Sequence, residues 1–154
     1  MKPTKFVFLA IIVLFSTAVC FSQVKPKTTP PSPTAAQGVK SSPAYAEVML
    51  RKTELLSEVE SLLIEYTEEY PKVKENRFEV GLLQKELDRL LAANVADASR
   101  LSPALGKLMV RKCEIGVNLW SLQQQYNDQH PDVRRAKRKT EIFETAISDI
   151  LQGK

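Results

Sequence analysis

Residues that could carry chemistry are few and widely spaced in this sequence. His130 is the one histidine of the chain, which removes the usual nucleophile–histidine pairs and any multi-histidine metal site. The carboxylates of the acidic stretch would point in several directions on a helix, as on a solvated face; they are Glu58, Glu60, Glu65, Glu68 and Glu69. We therefore expect no enzymatic activity and no catalytic, cofactor-binding or metal site.

The most concentrated charge is a run of five cations in six residues, formed by Arg134, Arg135, Lys137, Arg138 and Lys139. Cations at the start of a helix oppose its dipole, so the arrangement costs local stability and invites a functional reason. Two reasons stay open. The run either faces the acidic first half of the protein or binds an anionic envelope polymer or lipid headgroup. A nucleic-acid partner conflicts with the export signal at the start of the chain.

That export signal is predicted over residues 1–22. Lys2 and Lys5 precede an apolar stretch at 6–19, and small or neutral residues follow it up to Ser22. The apolar stretch is shorter than the about 20 residues that span a bilayer. We expect cleavage after Ser22, with an uncleaved anchor or a lipidated Cys20 as alternatives. The protein should be periplasmic or secreted and meet a membrane only through this signal.

Residues 23–43 separate the signal from the rest and hold five of the nine prolines. Such a composition predicts an extended, flexible linker.

Two copies of one unit fill the remaining chain. When residues 42–91 are laid over 102–151 without a gap, 13 of the 50 positions are identical. Cys113 stands where the first copy has Thr53, and we interpret it as a small helix residue, with a reactive thiol or an intermolecular disulfide as the alternatives. The repeat predicts unit one at 44–92, a connector at 93–102 and unit two at 103–154.

Each unit starts with a Ser-Pro pair that is typical of a helix N-terminus. An apolar seam with steps of three and four follows, and it is interrupted by Lys52 and by Lys112 at equivalent places. These lysines either extend their amines to solvent, or set register or face a ligand. The seam positions are Tyr45, Val48, Leu55, Val59, Leu62 and Tyr66 in the first copy, and Leu105, Leu108, Ile115, Leu119, Leu122 and Tyr126 in the second.

A second seam begins after Pro71 and again after Pro131, because proline ends one helix and is well placed to start the next. Two helices, at about 44–68 and 72–92, would close as a hairpin at Pro71, or remain one long helix kinked there. We favour the hairpin. The predicted fold is therefore all-α, with two tandem helical hairpins (four helices) forming a bundle or coiled coil.

The two units differ mainly in charge. Residues 44–93 hold 11 acidic and 7 basic side chains, a net charge of −4, whereas 104–154 hold 6 acidic and 9 basic, a net charge of +3. This complementarity favours packing of the units on each other or between chains.

The turn between the helices of each unit has the most specific sequence. Its residues are Tyr66, Pro71 and Val73 in the first copy and Tyr126, Pro131 and Val133 in the second. With Leu62 and Leu122 ahead of them, both phrases resemble the coiled-coil segment of bacterial polysaccharide chain-length determinant (co-polymerase) proteins, in which Leu-x3-Tyr…His-Pro-x-Val recurs. The second copy, with His130, is the closer match. The resemblance implies a helical-hairpin shape and a cell-envelope setting.

Together these features predict a non-enzymatic envelope or secreted scaffold that associates with itself or with a protein partner. A module that binds an anionic envelope polymer through 134–139, and a small periplasmic helical chaperone, are the alternatives.

Overall fold

The structure is a computed structural model that describes residues 33–93 and 98–153. Within these ranges the chain is helical and contains no strand, which confirms the all-α prediction. The helices are α1 Pro33–Lys40, α2 Pro43–Leu62, α3 Pro71–Ala92, α4 Pro103–Gln125 and α5 Pro131–Gln152, with a 3-10 turn at Ala98–Arg100. The predicted signal at 1–22 and residues 23–32 of the predicted linker lie outside the described residues.

All five α-helices begin with proline, whose missing amide hydrogen costs nothing at that position. The Oγ of Ser42 accepts a hydrogen bond from the Tyr45 amide at 3.3 Å, and the Oγ of Ser102 accepts one from the Leu105 amide at 3.4 Å. These contacts satisfy amides that have no partner inside the helix. The Ser-Pro starts therefore lie where the repeat predicts them.

The predicted end of the first helix, at about residue 68, is too late for α2, which ends at Leu62. In the second copy α4 continues to Gln125, three residues beyond the equivalent position. The sequence difference explains this, since 123–125 are three glutamines, whereas the first copy has the β-branched Ile64 there.

Helix α1 also differs from the extended linker predicted over 23–43. Its Ala35 and Ala36 favour a helix, and Val39 is buried with the core residues. At its end, the Ser42 hydroxyl donates to the Val39 carbonyl at 2.6 Å, which joins α1 to the start of α2. The helical part of the predicted linker therefore belongs to the folded unit.

The helices of each copy pack on each other, α2 on α3 and α4 on α5, and α4 packs in addition on α2 and α3. Two contacts show that α2 and α4 run in the same direction. Near the start of both helices the Ala44 amide donates to the Leu101 carbonyl at 3.1 Å, and further towards their C-termini Glu114 of α4 lies close enough to Arg51 of α2 for its charge to act on it. The turns that follow α2 and α4 consequently lie at the same end of the protein. We call residues 63–70 and 126–130 the turn end.

The core differs from the predicted seams mainly in α4. Val48, Leu55 and Val59 of α2 are buried as predicted, but the residues buried on α4 are Leu105, Gly106, Met109 and Cys113. Leu108, Ile115, Leu119 and Leu122 are only half-buried. Because α4 packs on α3 of the other copy as well as on α2 and α5, its most buried face differs from the face that α2 buries.

Trp120 and Cys113 of α4 both lie in this packing. Trp120 stacks on Phe78 of α3, with ring centroids 5.0 Å apart. Burial raises the pKa of the Cys113 thiol to about 12, so the thiol stays protonated and inert at neutral pH. Within residues 33–93 and 98–153, none of the helices combines the length and the apolar composition of a membrane span.

Candidate functional site

The turn end exposes aromatic side chains in matching pairs. Tyr66 stacks on Tyr70 with ring centroids 4.1 Å apart, and Tyr126 stacks on His130 at the same distance. Tyr66 and Tyr126 are each 42% exposed, and Ile64 beside them is 85% exposed. The turn of the first copy therefore presents an aliphatic and two aromatic side chains to solvent.

The remaining residues of the predicted turn motif are structural. Val73 and Val133 are fully buried two residues inside α3 and α5, whereas Pro71 and Pro131 occupy the first position of these helices. His130 accepts a hydrogen bond at Nδ1 from the Asp132 amide at 3.2 Å. The imidazole therefore acts as the N-cap of α5, which Tyr70 cannot do for α3.

The predicted basic residues all lie on α5, but they face different sides of it. Arg135 pairs with Asp132, Lys137 lies 2.9 Å from Asp128, and Arg138 lies 3.0 Å from Glu141. These acids all belong to the second copy, so the first of the two roles left open, pairing of the run with the acidic first copy, is not what the structure shows. Hydrogen bonds from Lys137 and from Arg135 lower the pKa values of Asp128 and Asp132, respectively.

Arg134 and Lys139 stand apart from the other cations of the run. Neither side chain makes an ion pair within the described part of the chain, and both are exposed. Their positive charges are available to an anionic ligand or to another protein molecule.

Arg135 and Lys139 line an open groove between α4 and α5, which we call the α4–α5 groove. Its volume is about 500 Å³, within the range of small-ligand pockets. The lining residues are Arg111, Glu114, Ile115, Asn118 and Leu122 of α4, and Asp132, Arg135, Ala136 and Lys139 of α5. Three cations and two carboxylates surround a partly apolar floor.

A second cluster of charges joins the two copies. Lys112 is 16% exposed; its amine donates to Glu144 of α5 at 2.7 Å and also to Glu86 of α3. Arg89 of α3 donates to the Ser148 hydroxyl at 2.8 Å and lies 2.8 Å from Glu144. The seam-breaking lysine of the second copy therefore does not extend to solvent but binds two other helices.

The charges of this cluster shift each other's pKa values. Burial alone lowers the pKa of Lys112, but the hydrogen bonds from its amine to Glu144 and Glu86 outweigh burial and raise that pKa. Burial raises the pKa of Glu144, but the hydrogen bonds from Lys112 and Arg89 outweigh it and lower the pKa to about 2. Lys112 and Glu144 are therefore both charged at neutral pH.

Arg111 of the groove, and Glu86 and Glu144 of the cluster, are site residues that the sequence reasoning did not single out. A comparison of the charge pairs between the two copies is the signal that finds Glu144. Lys52 donates to Gln84 Oε1 at 2.6 Å, and the residue equivalent to Gln84 in the second copy is Glu144.

Comparison with protein-family models, with curated proteins and with solved structures finds no match to this chain.

Proposed function

We propose that the protein is a non-enzymatic, exported scaffold of the cell envelope that associates with itself. In this proposal two hairpins, α2–α3 and α4–α5, form one four-helix bundle, and two molecules meet through their turn ends. The observation that carries the proposal is the exposure of Ile64, Tyr66 and Tyr126 at one end of the protein. Aromatic and aliphatic side chains at the centre of a contact supply most of its binding energy.

Charge supports a second copy of the chain as the occupant of this surface. Residues 64–70 contain three carboxylates, of which Glu65 makes no ion pair within the described residues while Glu68 and Glu69 pair with cations of α3, whereas the start of α5, beside the other turn, carries Arg134 and its basic neighbours. In a two-fold symmetric pair each surface meets its counterpart in the other molecule. The acidic turn of one molecule would then lie against the basic start of α5 in the other, twice.

The envelope setting rests on two features of the sequence. They are the export signal predicted over 1–22 and the resemblance of both turns to the chain-length determinant proteins. The fold adds consistency, since each turn phrase lies between two packed helices.

Light scattering of the chain without the predicted signal at 1–22 tests this function. We expect a mass near twice that of one such chain, falling towards the monomer when Tyr66→Ser and Tyr126→Ser are combined. Leu50→Ser is the matched control, because Leu50 is exposed on α2 outside the turn end. A monomer at every concentration, or an equal effect of the control, would count against the proposal.

A second candidate function is binding of an anionic envelope polymer by α5. The unpaired charges of Arg134 and Lys139 favour it. Replacing Arg134, Arg135, Lys137 and Arg138 with Gln should weaken binding to an acidic polysaccharide column, and salt should weaken it for the unchanged protein. Binding that ignores both changes would contradict this function.

A further inference from the structure

The repeat provides an internal reference for the α4–α5 groove. Lys52 bonds to Gln84 across α2 and α3, and Lys112 bonds to the equivalent residue, Glu144, across α4 and α5. The two pairs of helices are therefore packed in the same register. A contact seen between α2 and α3 consequently shows which residues of α4 and α5 lie opposite each other.

In the first copy, the Nε of Arg51 donates to Glu79 Oε1 at 3.0 Å, and the Glu79 side chain is only 8% exposed. The second copy retains the arginine as Arg111 but has Lys139 in place of the glutamate. A cation thus stands where the first copy places the carboxylate that neutralises its arginine. Both residues line the α4–α5 groove.

Two further replacements change the same place. Arg135 stands at the position of Glu75, which adds another cation. Ala136 stands at the position of Asn76, which is only 1% exposed in the first copy. The second copy therefore has more positive charge and a smaller side chain where its groove of about 500 Å³ opens.

The cations of the groove keep donors for a ligand. Arg111 lies 2.5 Å from Glu114 and Arg135 pairs with Asp132, each within its own helix. A guanidinium has five N–H donors, so one carboxylate leaves several unused. Lys139 makes no ion pair in the described ranges. Three cations against two carboxylates leave the groove with a net positive charge.

We propose that the α4–α5 groove binds a uronic-acid residue of an acidic polysaccharide. The ligand's carboxylate would take the place between Arg111 and Lys139 that Glu79 occupies beside Arg51 in the first copy. The sugar hydroxyls would donate to Glu114 and Asp132, and the apolar face of the ring would lie on the floor of the groove. This inference deepens the second candidate function and rests on it.

The two carboxylates of the groove decide between classes of anion. Inorganic polyphosphate has no carbon-bound hydroxyls to donate to Glu114 and Asp132, and its dense charge is repelled by them. An acidic peptide supplies carboxylates but lacks a ring of hydroxyls. A hydroxylated monocarboxylate satisfies both the cations and the acids of this site.

The test is calorimetric titration of the full-length protein with a trimer of galacturonic acid and with the neutral trimer of galactose. We expect the acidic trimer to bind in preference to the neutral one. Lys139→Glu should weaken it by about tenfold or more, because the new carboxylate pairs with Arg111 as Glu79 pairs with Arg51. The melting temperature of this variant should equal or exceed that of the unchanged protein.

Arg138→Glu is the matched control, since it makes the same charge change one residue away on a side chain that is 74% exposed and outside the groove. Because Arg138 belongs to the basic run that the second candidate function uses, we expect this variant to weaken binding too, but clearly less than Lys139→Glu does. The titrations use protein concentrations at which light scattering gives both variants and the unchanged protein the same oligomeric state. Lys139→Gln, which keeps the helix without adding a carboxylate, should also weaken binding several-fold.

Three results would overturn the inference. They are equal binding of the neutral trimer, equal weakening by Arg138→Glu and Lys139→Glu, and tighter binding of a hexaglutamate peptide or of polyphosphate. The second result would leave polyanion binding by α5 intact as a function while removing the groove as its site. If the unchanged protein binds none of these anions, both the groove site and the polyanion-binding function are wrong.

Discussion

Lys112 of α4 links its helix to two others, because it pairs with one carboxylate from each of them. It contacts Glu86 of α3 and Glu144 of α5, while its own helix, α4, packs on both. The equivalent Lys52 has a single neutral partner, the amide of Gln84. The same residue type at the same repeat position therefore has different energetic weight in the two copies.

Lys112→Met should destabilise the protein by about 3 kcal/mol, because it leaves the buried Glu86 and the half-buried Glu144 without their main partner. We take the low end of the range for broken buried pairs, since Arg89 remains near both carboxylates. Lys52→Met, the control, should cost only about 1 kcal/mol, the value of a neutral hydrogen bond. Urea unfolding measures both, and equal losses would contradict the distinction.

Glu144 should make stability depend on acid pH. Its pKa is about 2 in the folded protein and 4.5 without the fold, so its contribution is complete above the unfolded value and is lost as the pH falls between these values. The side chain is 45% exposed, and solvent screening leaves only part of the contribution expected from that shift.

Urea unfolding at several pH values from about 5 to about 2.5 measures how steeply the free energy of unfolding falls with pH. The unchanged protein should lose stability more steeply than Glu144→Gln, which has no carboxylate to protonate. Glu141→Gln, whose carboxylate is paired with Arg138 at the surface, should retain the slope of the unchanged protein. Parallel curves for all three proteins would show that Glu144 does not carry the effect.

At this scale, local patterns in the sequence predict some residues and miss others for a physical reason. Val73 and Val133 follow from the spacing after each proline, and both are fully buried. Glu86 has no such pattern, because its partner Lys112 lies in the other copy, and a repeat compared only with itself does not show contacts between copies. The Arg111–Lys139 opposition needs the observed Arg51–Glu79 contact before it can be inferred.

At the scale of elements, the close approach of α2 and α4 depends on Gly106. A Cβ there would lie 2.7 Å from the Glu47 Cβ and 2.8 Å from the Ala44 carbonyl oxygen. Gly106→Ala should therefore destabilise the protein by about 1–3 kcal/mol, as overpacking does, in spite of the better helix propensity of alanine. Urea unfolding measures the change.

Gly81 in the middle of α3 is the control for Gly106, because a Cβ there would meet nothing within 4 Å. Gly81→Ala should stabilise the protein by about 0.5–1 kcal/mol through helix propensity alone. A stabilising effect of the same size at position 106 would show that α2 and α4 do not approach so closely.

The repeat explains why helix positions were easier to predict than helix faces. Prolines and caps act locally, so the starts of α2 to α5 are found within one residue of their predicted positions. Which face of α4 is buried depends on α2 and α3 as well as on α5. Met109 and Cys113 are buried for that reason, although the apolar seam predicted for the second copy does not include them.

For the whole molecule, the arrangement of two similar units with parallel first helices brings both turns to one end. It also places opposite charges at that end, the acidic turn of the first unit and the basic start of α5 in the second. This contrast was visible in the sequence as a difference in net charge between the copies. Its placement at one exposed, aromatic end required the structure.

The central claim is that the turn ends of two molecules meet with acid against base. Its most direct test is light scattering on two charge-reversed proteins, Glu65→Lys with Glu69→Lys, and Arg134→Glu with Arg138→Glu. Each alone should be monomeric, because like charges would face each other twice in the symmetric pair. An equimolar mixture should recover the mass of a dimer, since every contact between the two different proteins is again attractive. A mixture that stays monomeric, or single variants that associate as the unchanged protein does, would contradict the claim.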